Sequence, residues 1–248
     1  PLVWTLLPSA GNSNTQARTD LLERLLKAFP DLKIASLMGD REFIGNAWMS
    51  YLCTRKIPFV LRLRENQHVV RAGYDTWSIA DIARCLAKGD TMLIKGWCRL
   101  GHGADNHSPL VRIIIMRLRT NELLALACPG NPRGALASYR QRWTIETLFA
   151  NLKTKGFNLE DTHITAPAKL SSLLAVLALT VTLCAKSGVA VARFQPIRIK
   201  KHGRKAQSLF ALGLGALRKI NACASEAQVI EFLHSLMSLK FSEVVQFV

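Results

Sequence analysis

Four residues between positions 139 and 153 have side chains that can bind metal ions and phosphate groups. They are Tyr139, Arg142, Glu146 and Lys153, and intervals of three, four and seven residues separate them. At about 100° per residue, these intervals place all four on one face of a helix. A carboxylate binds hard divalent cations, and guanidinium and ammonium groups bind phosphate. The ordinary solvated face of an amphipathic helix also fits this pattern.

An apolar stripe accompanies the polar face on the same predicted helix. Its members are Ile145, Leu148, Phe149 and Leu152. They are displaced from the polar face by roughly a quarter to a third of a turn. The stripe predicts that the helix packs on a core and presents Glu146 along its edge. Trp143 points to a different face from Arg142 and Glu146, and we expect it in the core.

The elements that would position this helix begin with an alternation of apolar runs and amphipathic segments. Strands are predicted at Leu2–Leu7, Lys33–Met38 and Pro58–Leu63, and helices at 17–29 and Gly45–Arg55. Such alternation indicates an α/β sheet. Asp40 comes just after the second of these strands.

Beyond Glu65 the pattern becomes β-rich and then helical. An inserted antiparallel unit is predicted from three apolar runs, at Thr91–Cys98, Leu110–Arg117 and Glu122–Cys128. Helices are predicted at Gly134–Lys155, Ala168–Ala192, Gln207–Ile220 and Glu226–Leu239. The longest charge-free run, Leu170–Ala185, is shorter than the ~20 residues of a spanning helix, so we expect a buried helix and no membrane partner.

The composition indicates a polyanionic partner. The 248 residues carry a formal net charge of +16, which makes nucleic acid the first expectation and an anionic membrane surface or a ribosomal protein the alternatives. The six cysteines are scattered without spacing for zinc or a disulfide framework, which favours the reducing cytoplasm. The histidines show no metal-ligand spacing, and no glycine-rich phosphate loop or Ser-His-Asp pattern is present.

The segment YRQRWTIETLFANLKTKGF resembles the Tyr-x2-Arg-x3-Glu-x6-Lys signature of the IS4 family of bacterial transposases at all four positions. Three further segments resemble the same family, namely PLVWTLLPSAGNSNT, GDREFIG and IPFVLRLREN. The segment FQPIRIKKHGRKAQSLF resembles the basic region behind the catalytic helix of that family. The resemblance therefore covers most of the chain.

This resemblance implies a ribonuclease-H-like fold with a metal-binding Asp-Asp-Glu triad. Asp40 fits the second aspartate and Glu146 the glutamate, both as catalytic residues and as ligands of two Mg²⁺ ions, with Mn²⁺ a possible substitute. The run Pro1–Leu7 resembles the third strand of that fold, so we expect the first aspartate upstream of this chain. The first methionine is Met38. The chain is accordingly predicted to be N-terminally truncated and inactive alone.

The same resemblance predicts contacts to transposon-end and target DNA. The expected contact residues are Tyr139, Arg142, Lys153, Arg41, Arg62, Arg64, Arg198, Lys200, Lys201, Arg204 and Lys205. For Arg41, Arg62 and Arg64, ordinary surface charge is the alternative. Phe194 and Phe210 flank the basic run and are expected either to stack on bases or, as the favoured alternative, to pack in a helical core.

The predicted fold is an α/β ribonuclease-H-like core lacking its first strands, with an inserted antiparallel β-unit and a C-terminal helical layer. The predicted parts are residues 1–64 and 129–192 for the core, 65–128 for the β-rich insertion and 193–248 for a basic helical region. The expected function is metal-dependent cleavage of transposon ends and strand transfer, by a homodimer on DNA in the bacterial cytoplasm. The alternatives are an inactive remnant that binds DNA or regulates intact transposase, and an unrelated basic scaffold.

Overall fold

The computed structural model describes residues 3–7, 11, 13–71, 75–102, 108–153, 157–201, 203 and 205–238. The helices are α1 (Thr15–Ala28), α2 (Asn46–Thr54), α3 (Ile79–Ile82), α4 (Pro132–Tyr139), α5 (Trp143–Lys153), α6 (Pro167–Phe194), α7 (Leu209–Cys223) and α8 (Glu226–Ser238). The strands are β1 (Leu37–Gly39), β2 (Phe59–Leu63), β3 (His68–Arg71), β4 (Trp77–Ser78), β5 (Thr91–Leu93), β6 (Cys98–Leu100), β7 (Arg112–Arg117) and β8 (Leu123–Cys128). Single 3₁₀ turns lie at Arg41–Phe43, Arg140–Arg142 and Leu159–Thr162. The fold is mixed α/β, as predicted.

Five strands form the larger sheet, in the order β1-β2-β8-β7-β5. Strands β1 and β2 run parallel, with Met38 opposite Val60. The other neighbours in this sheet are antiparallel. A smaller antiparallel sheet has the order β4-β3-β6. Because parallel strands β1 and β2 are neighbours, the loops that follow them leave from the same edge of the sheet.

The predicted β-rich insertion contributes strands to both sheets. Strands β5, β7 and β8 extend the sheet formed by β1 and β2, whereas β3, β4 and β6 form the smaller one. The run Thr91–Cys98 was expected as one strand, but the chain turns at Gly96, whose φ of 84° favours glycine. That turn separates β5 from β6. The four-part domain division remains a prediction.

The predicted strand Leu2–Leu7 differs from the structure. Residues 3–7 form no strand. The carbonyl oxygen of Trp4 instead accepts a hydrogen bond from the side chain of Arg24 on α1, at 2.9 Å. A backbone acceptor is therefore satisfied by a side chain rather than by a neighbouring strand.

Successive side chains of β2 point to opposite faces of the larger sheet, and helices cover both faces. Phe59, Leu61 and Leu63 face a core that includes side chains of α1 and α2. Val60 faces the other way and packs in a smaller cluster with residues of α4. Burial on both faces requires the nearly continuous apolar sequence of this strand.

The chain divides into two compact units, Pro1–Trp143 and Thr144–Val248. In the second unit, α6 and α7 approach very closely at two glycines. A Cβ atom at Gly188 would lie 1.9 Å from the carbonyl oxygen of Leu209, and one at Gly213 would lie 1.8 Å from that of Cys184. The backbones of these helices are therefore in direct contact, which only residues without a side chain permit.

Helix α6 is long and apolar enough, by length and composition, to cross a membrane. The core helix of a soluble protein passes the same test. Leu177, Cys184 and Val189 are buried, whereas Val176 and Leu179 are exposed. The predicted buried helix is thus buried along one side only.

Candidate active site

Asp40 lies at the carboxyl end of β1, where the 3₁₀ turn Arg41–Phe43 begins. Its Oδ1 caps this turn by accepting a hydrogen bond from the backbone N–H of Arg41 at 2.8 Å. The preceding residue must be small, because a Cβ at Gly39 would lie 2.7 Å from Cδ2 of Leu61 and 2.8 Å from Cβ of Phe43. The Gly-Asp pair therefore fixes the position of a carboxylate at the edge of the sheet.

The helix that carries the predicted motif is interrupted. Helix α4 begins after Asn131, whose side chain accepts a hydrogen bond from the N–H of Arg133 at 3.1 Å. It ends at Tyr139 and is followed by a 3₁₀ turn before α5 begins at Trp143. The prediction of one continuous helix over Gly134–Lys155 was wrong in this respect. Tighter winding in the turn shifts Tyr139 relative to the rest of the polar face.

Tyr139 is buried, with 7 % of its surface exposed, and packs with Val60 and Leu126. Its hydroxyl group makes no hydrogen bond with the described residues. Burial raises the pKa of this hydroxyl, and the positive charge of Arg142 opposes the shift only in part. The group therefore remains a neutral hydroxyl, and a buried polar group without a partner is rare in folded proteins.

Arg142 lies between Tyr139 and Asp40. Its guanidinium carbon is 5.5 Å from the centroid of the Tyr139 ring, within the range of a cation–π interaction. Its Nη1 atom is 3.8 Å from Oδ2 of Asp40. This separation is an ion pair but exceeds hydrogen-bond length, so Oδ2 can accept a closer ligand. Two segments that are far apart in the sequence thus meet at one carboxylate.

The remaining motif residues, Glu146 and Lys153, lie on α5. The side chain of Glu146 is partly exposed and that of Lys153 is exposed. Of the predicted apolar stripe, Leu152 is buried, whereas Ile145 and Phe149 are about half exposed. Trp143, expected in the core, is 66 % exposed, so that prediction was wrong. The sequence pattern did not distinguish the buried from the exposed apolar side of this helix.

Arg41 and Arg64 follow the parallel strands β1 and β2 at the same sheet edge as Asp40. Together with Glu42, Glu65 and Asn66 they line an open groove of about 450 Å³. Both arginines are exposed. Sequence reasoning did not single out Glu65 or Asn66. Both residues directly follow strand β2, and this position is the sequence feature that could have placed them near Asp40.

A family model for the transposase DDE domain matches residues 2–183. The chain belongs to the DDE transposase family. DDE transposases act on DNA and generally use divalent metal ions. No curated protein matches the chain. The predicted motif region and the Asp40 loop both lie inside the matched segment.

Arg62 has a partner within the DDE domain. It forms an ion pair with Glu122, and its Nη2 atom lies 3.4 Å from the carbonyl oxygen of Leu123. Its side chain is only 13 % exposed. These contacts join β2 to β8. They explain the burial of Arg62 without any contact to DNA. The predicted DNA contact of Arg62 stays a prediction.

The basic run lies beyond the segment that the DDE family model matches. Arg198, Lys200, Lys201 and Lys205 are exposed, and Arg204 lies outside the described residues. Phe194 is 87 % exposed. Phe210 is buried and contacts Phe157 edge-on, with ring centroids 5.8 Å apart. Core packing therefore accounts for Phe210 but not for Phe194.

The donor atoms near Asp40 fit a divalent metal ion in their chemistry. Carboxylate oxygens are the ligands that Mg²⁺ prefers, and the contact of Oδ2 of Asp40 with the guanidinium of Arg142, at 3.8 Å, is longer than a hydrogen bond. Among the described residues, no three His, Cys, Asp or Glu side chains are close enough to hold a metal by themselves. Asp40 can therefore supply one ligand of a larger set.

Tyr139→Phe tests whether the hydroxyl of Tyr139 contributes to the stability of the fold. We expect its free energy of unfolding to be unchanged or up to about 1 kcal/mol higher, because an unsatisfied buried hydroxyl is removed. The control is Tyr51→Phe, which loses the hydrogen bond from Tyr51 to Glu23 at 2.5 Å and should be destabilised. Urea denaturation of the three proteins measures this. A Tyr139→Phe variant that is less stable than wild type would show that the hydroxyl has a structural partner.

Proposed function

We propose that this chain is the catalytic part of an IS4-type DDE transposase, which cuts transposon ends and joins the freed 3′-hydroxyl to target DNA. The meeting of Arg142 and Asp40 carries the proposal, because it joins the start of the Tyr-x2-Arg-x3-Glu-x6-Lys motif to the Gly-Asp loop. The family match supports transposase function in general. The specific reaction rests on the residues around Asp40.

Asp40 and Glu146 are the proposed metal ligands and catalytic residues, with Mg²⁺ the expected ion and Mn²⁺ a possible substitute. Two bound ions would activate the attacking hydroxyl or water and stabilise the leaving oxygen. The first aspartate of the triad is assigned to no residue of this chain. We propose that it lies on a preceding strand of a ribonuclease-H-like core. The parallel pairing of β1 with β2 is compatible with such a core.

The side chains around Asp40 have separate proposed roles. Arg142 neutralises part of the carboxylate charge, and its guanidinium group can also bind a phosphate. Tyr139 donates its hydroxyl hydrogen to a group that enters the site. Arg41 and Arg64 hold the DNA backbone along the groove at the sheet edge, and Lys153 contacts it from α5. These contacts would orient the scissile bond and exclude competing water.

Metal removal tests the proposal. Labelled duplex DNA carrying the transposon end is incubated with this protein extended by the proposed strand that carries the first aspartate, in Mg²⁺, in Mn²⁺ or in EDTA, and the strands are resolved on denaturing gels. We expect new 3′ ends with either metal and none in EDTA. The same assay on this chain alone should show DNA binding without cleavage. Cleavage that persists in EDTA would refute the metal-ligand roles of Asp40 and Glu146.

The assay also separates the alternatives. DNA binding by both proteins without cleavage in any buffer would favour an inactive remnant that binds DNA or regulates an intact transposase. We further propose that the active form is a homodimer on paired transposon ends. The molecular mass of the DNA complex in light scattering tests that state.

A further inference from the structure

Arg18 lies in the first turn of α1, close to the residue that caps this helix. The side chain of Asn14 accepts a hydrogen bond from the N–H of Ala17 at 2.8 Å, and its carbonyl oxygen accepts one from the N–H of Arg18 at 3.3 Å. A long side chain on a helix points back toward the helix N-terminus. The guanidinium group of Arg18 is therefore directed toward the segment that precedes α1.

Three hydrogen bonds connect this guanidinium group to two separate segments. Its Nε and Nη2 atoms donate to the Oγ atom and the carbonyl oxygen of Ser13, at 2.9 Å and 2.5 Å. Nη2 also donates to the carbonyl oxygen of Glu42 at 2.9 Å. Glu42 is in the 3₁₀ turn Arg41–Phe43, which Asp40 caps. Arg18 thus bridges the start of α1 and the turn that follows the proposed metal ligand.

The same guanidinium group lies over the ring of Phe43, the last residue of that turn. The distance from its carbon atom to the ring centroid is 4.8 Å, within the range of a cation–π interaction. Phe43 in turn packs tightly against the backbone before Asp40, because a Cβ at Gly39 would lie 2.8 Å from its own Cβ. Arg18 therefore holds the turn at two points, the carbonyl oxygen of Glu42 and the ring of Phe43.

The Arg18 cation is partly removed from solvent. Its side chain is half-buried, and this burial lowers the pKa of the guanidinium group, while the negative charge of Glu42 opposes the shift. The group nevertheless stays charged at neutral pH. Its planar fork can bind Ser13 and Glu42 together while stacking on a ring, which the compact ammonium of a lysine cannot do. The contacts therefore require an arginine and not merely a positive charge.

We propose that Arg18 is a positioning residue for the candidate active site. It holds the turn Arg41–Phe43 at the sheet edge and thereby fixes the carboxylate of Asp40, whose Oδ1 accepts a hydrogen bond from the N–H of Arg41 in that turn. In this role Arg18 contacts neither DNA nor metal. Its importance for cleavage rests on the proposed function, in which Asp40 binds a catalytic metal ion.

A matched pair of arginine variants tests the role. Arg18→Met keeps an unbranched side chain that suits a helix but removes the guanidinium group. Arg24→Met is the control, because Arg24 lies on the same helix and also donates to a backbone carbonyl oxygen, that of Trp4, at 2.9 Å. Arg18→Lys keeps the positive charge without the planar fork. All three variants are compared with the wild-type chain.

Amide hydrogen exchange, measured by NMR in EDTA, reports on the turn without any assay of activity. The N–H of Phe43 donates to the carbonyl oxygen of Asp40 at 2.9 Å, and the remote N–H of Val111 donates to that of Cys98 at 2.9 Å. In Arg18→Met, we expect exchange at Phe43 to be about tenfold faster and exchange at Val111 to be unchanged, because only the local turn is released. Arg18→Lys should resemble Arg18→Met, and the control should match wild type.

Cleavage links the turn to catalysis. In the protein extended by the proposed strand with the first aspartate, Arg18→Met should cut saturating transposon-end DNA at least about tenfold more slowly, because a misplaced catalytic group lowers the rate steeply. Its DNA affinity should change by less than about twofold, since no phosphate contact is lost. The control Arg24→Met should match wild type in both measurements.

Several outcomes would overturn the proposal. Equal acceleration of exchange at Phe43 and Val111 would indicate a general loss of stability, and wild-type exchange at Phe43 would show that Arg18 does not hold the turn. Full recovery in Arg18→Lys would show that charge alone is sufficient. Faster exchange at Phe43 with wild-type cleavage would show that the turn does not position Asp40. If the wild-type extended protein does not cleave, the proposed function fails, whereas exchange still decides whether Arg18 holds the turn.

Discussion

Replacing Gly213 by alanine will unfold the α6–α7 pair or weaken it severely. The new Cβ would lie 1.8 Å from the carbonyl oxygen of Cys184 and 2.6 Å from the amide nitrogen of Gly188. Both obstacles are backbone atoms, so no side-chain rotation relieves the clash. The helices must separate, and we expect the free energy of unfolding to fall by about 3 kcal/mol, the upper end of the usual cost of overpacking.

A second glycine on α7 supplies the control. Gly215 has no atom within 4 Å of its would-be Cβ. Gly215→Ala should therefore stabilise the protein by roughly 0.5–1 kcal/mol, because alanine favours a helix over glycine. Urea denaturation followed by circular dichroism at a helical wavelength measures both variants. Equal stability of the two variants would show that α6 and α7 do not touch at Gly213.

Glu146→Gln will abolish DNA cleavage while leaving DNA affinity nearly unchanged. Glutamine keeps the size of the side chain but lacks the negative charge with which Glu146 is proposed to hold a divalent metal. Loss of several kcal/mol of transition-state stabilisation corresponds to a rate at least about a thousandfold lower. DNA affinity should change by less than about twofold, because it depends mainly on cations at the phosphate backbone.

The assay uses the protein extended by the proposed strand with the first aspartate, together with labelled transposon-end DNA and Mg²⁺. Its control is Glu231→Gln, which neutralises an exposed carboxylate on α8 in the same unit. The control variant should cut at the wild-type rate. Cleavage retained by Glu146→Gln would remove Glu146 from the proposed site, and equal losses in both variants would indicate a general effect of charge.

Strong local patterns predicted the elements of the site, but not its side-chain environment. The apolar run before Leu63 predicted β2, and the polar break after Met38 placed Asp40 at the end of a strand. Burial of Tyr139 was not predictable, because it depends on α4 packing against β2 and β8. The sequence spacing assumed constant helical winding, and that assumption fails at Arg140–Arg142.

Pairing between strands that are distant in the sequence was the other reason why the structure differs from the sequence-based predictions. The ion pair of Arg62 with Glu122 depends on β8 lying beside β2. Hydrophobic alternation identified both strands but contains no information about which strands become neighbours. For the same reason, the shared sheet of β1, β2 and the predicted insertion was not foreseen. On α5, the exposure of Trp143 and Phe149 depends on which side the rest of the fold covers.

Strand β1, which leads into Asp40, is the last strand at one edge of the described sheet. No described strand pairs with the outer edge of β1, whose carboxyl end leads into Asp40. A further strand added there in parallel would lie about 4.8 Å away, with its own carboxyl end beside Asp40. Such β-augmentation would bring a new side chain to Asp40, the proposed metal ligand. Catalytic activity would then depend on a strand forming backbone hydrogen bonds with β1, which is only three residues long.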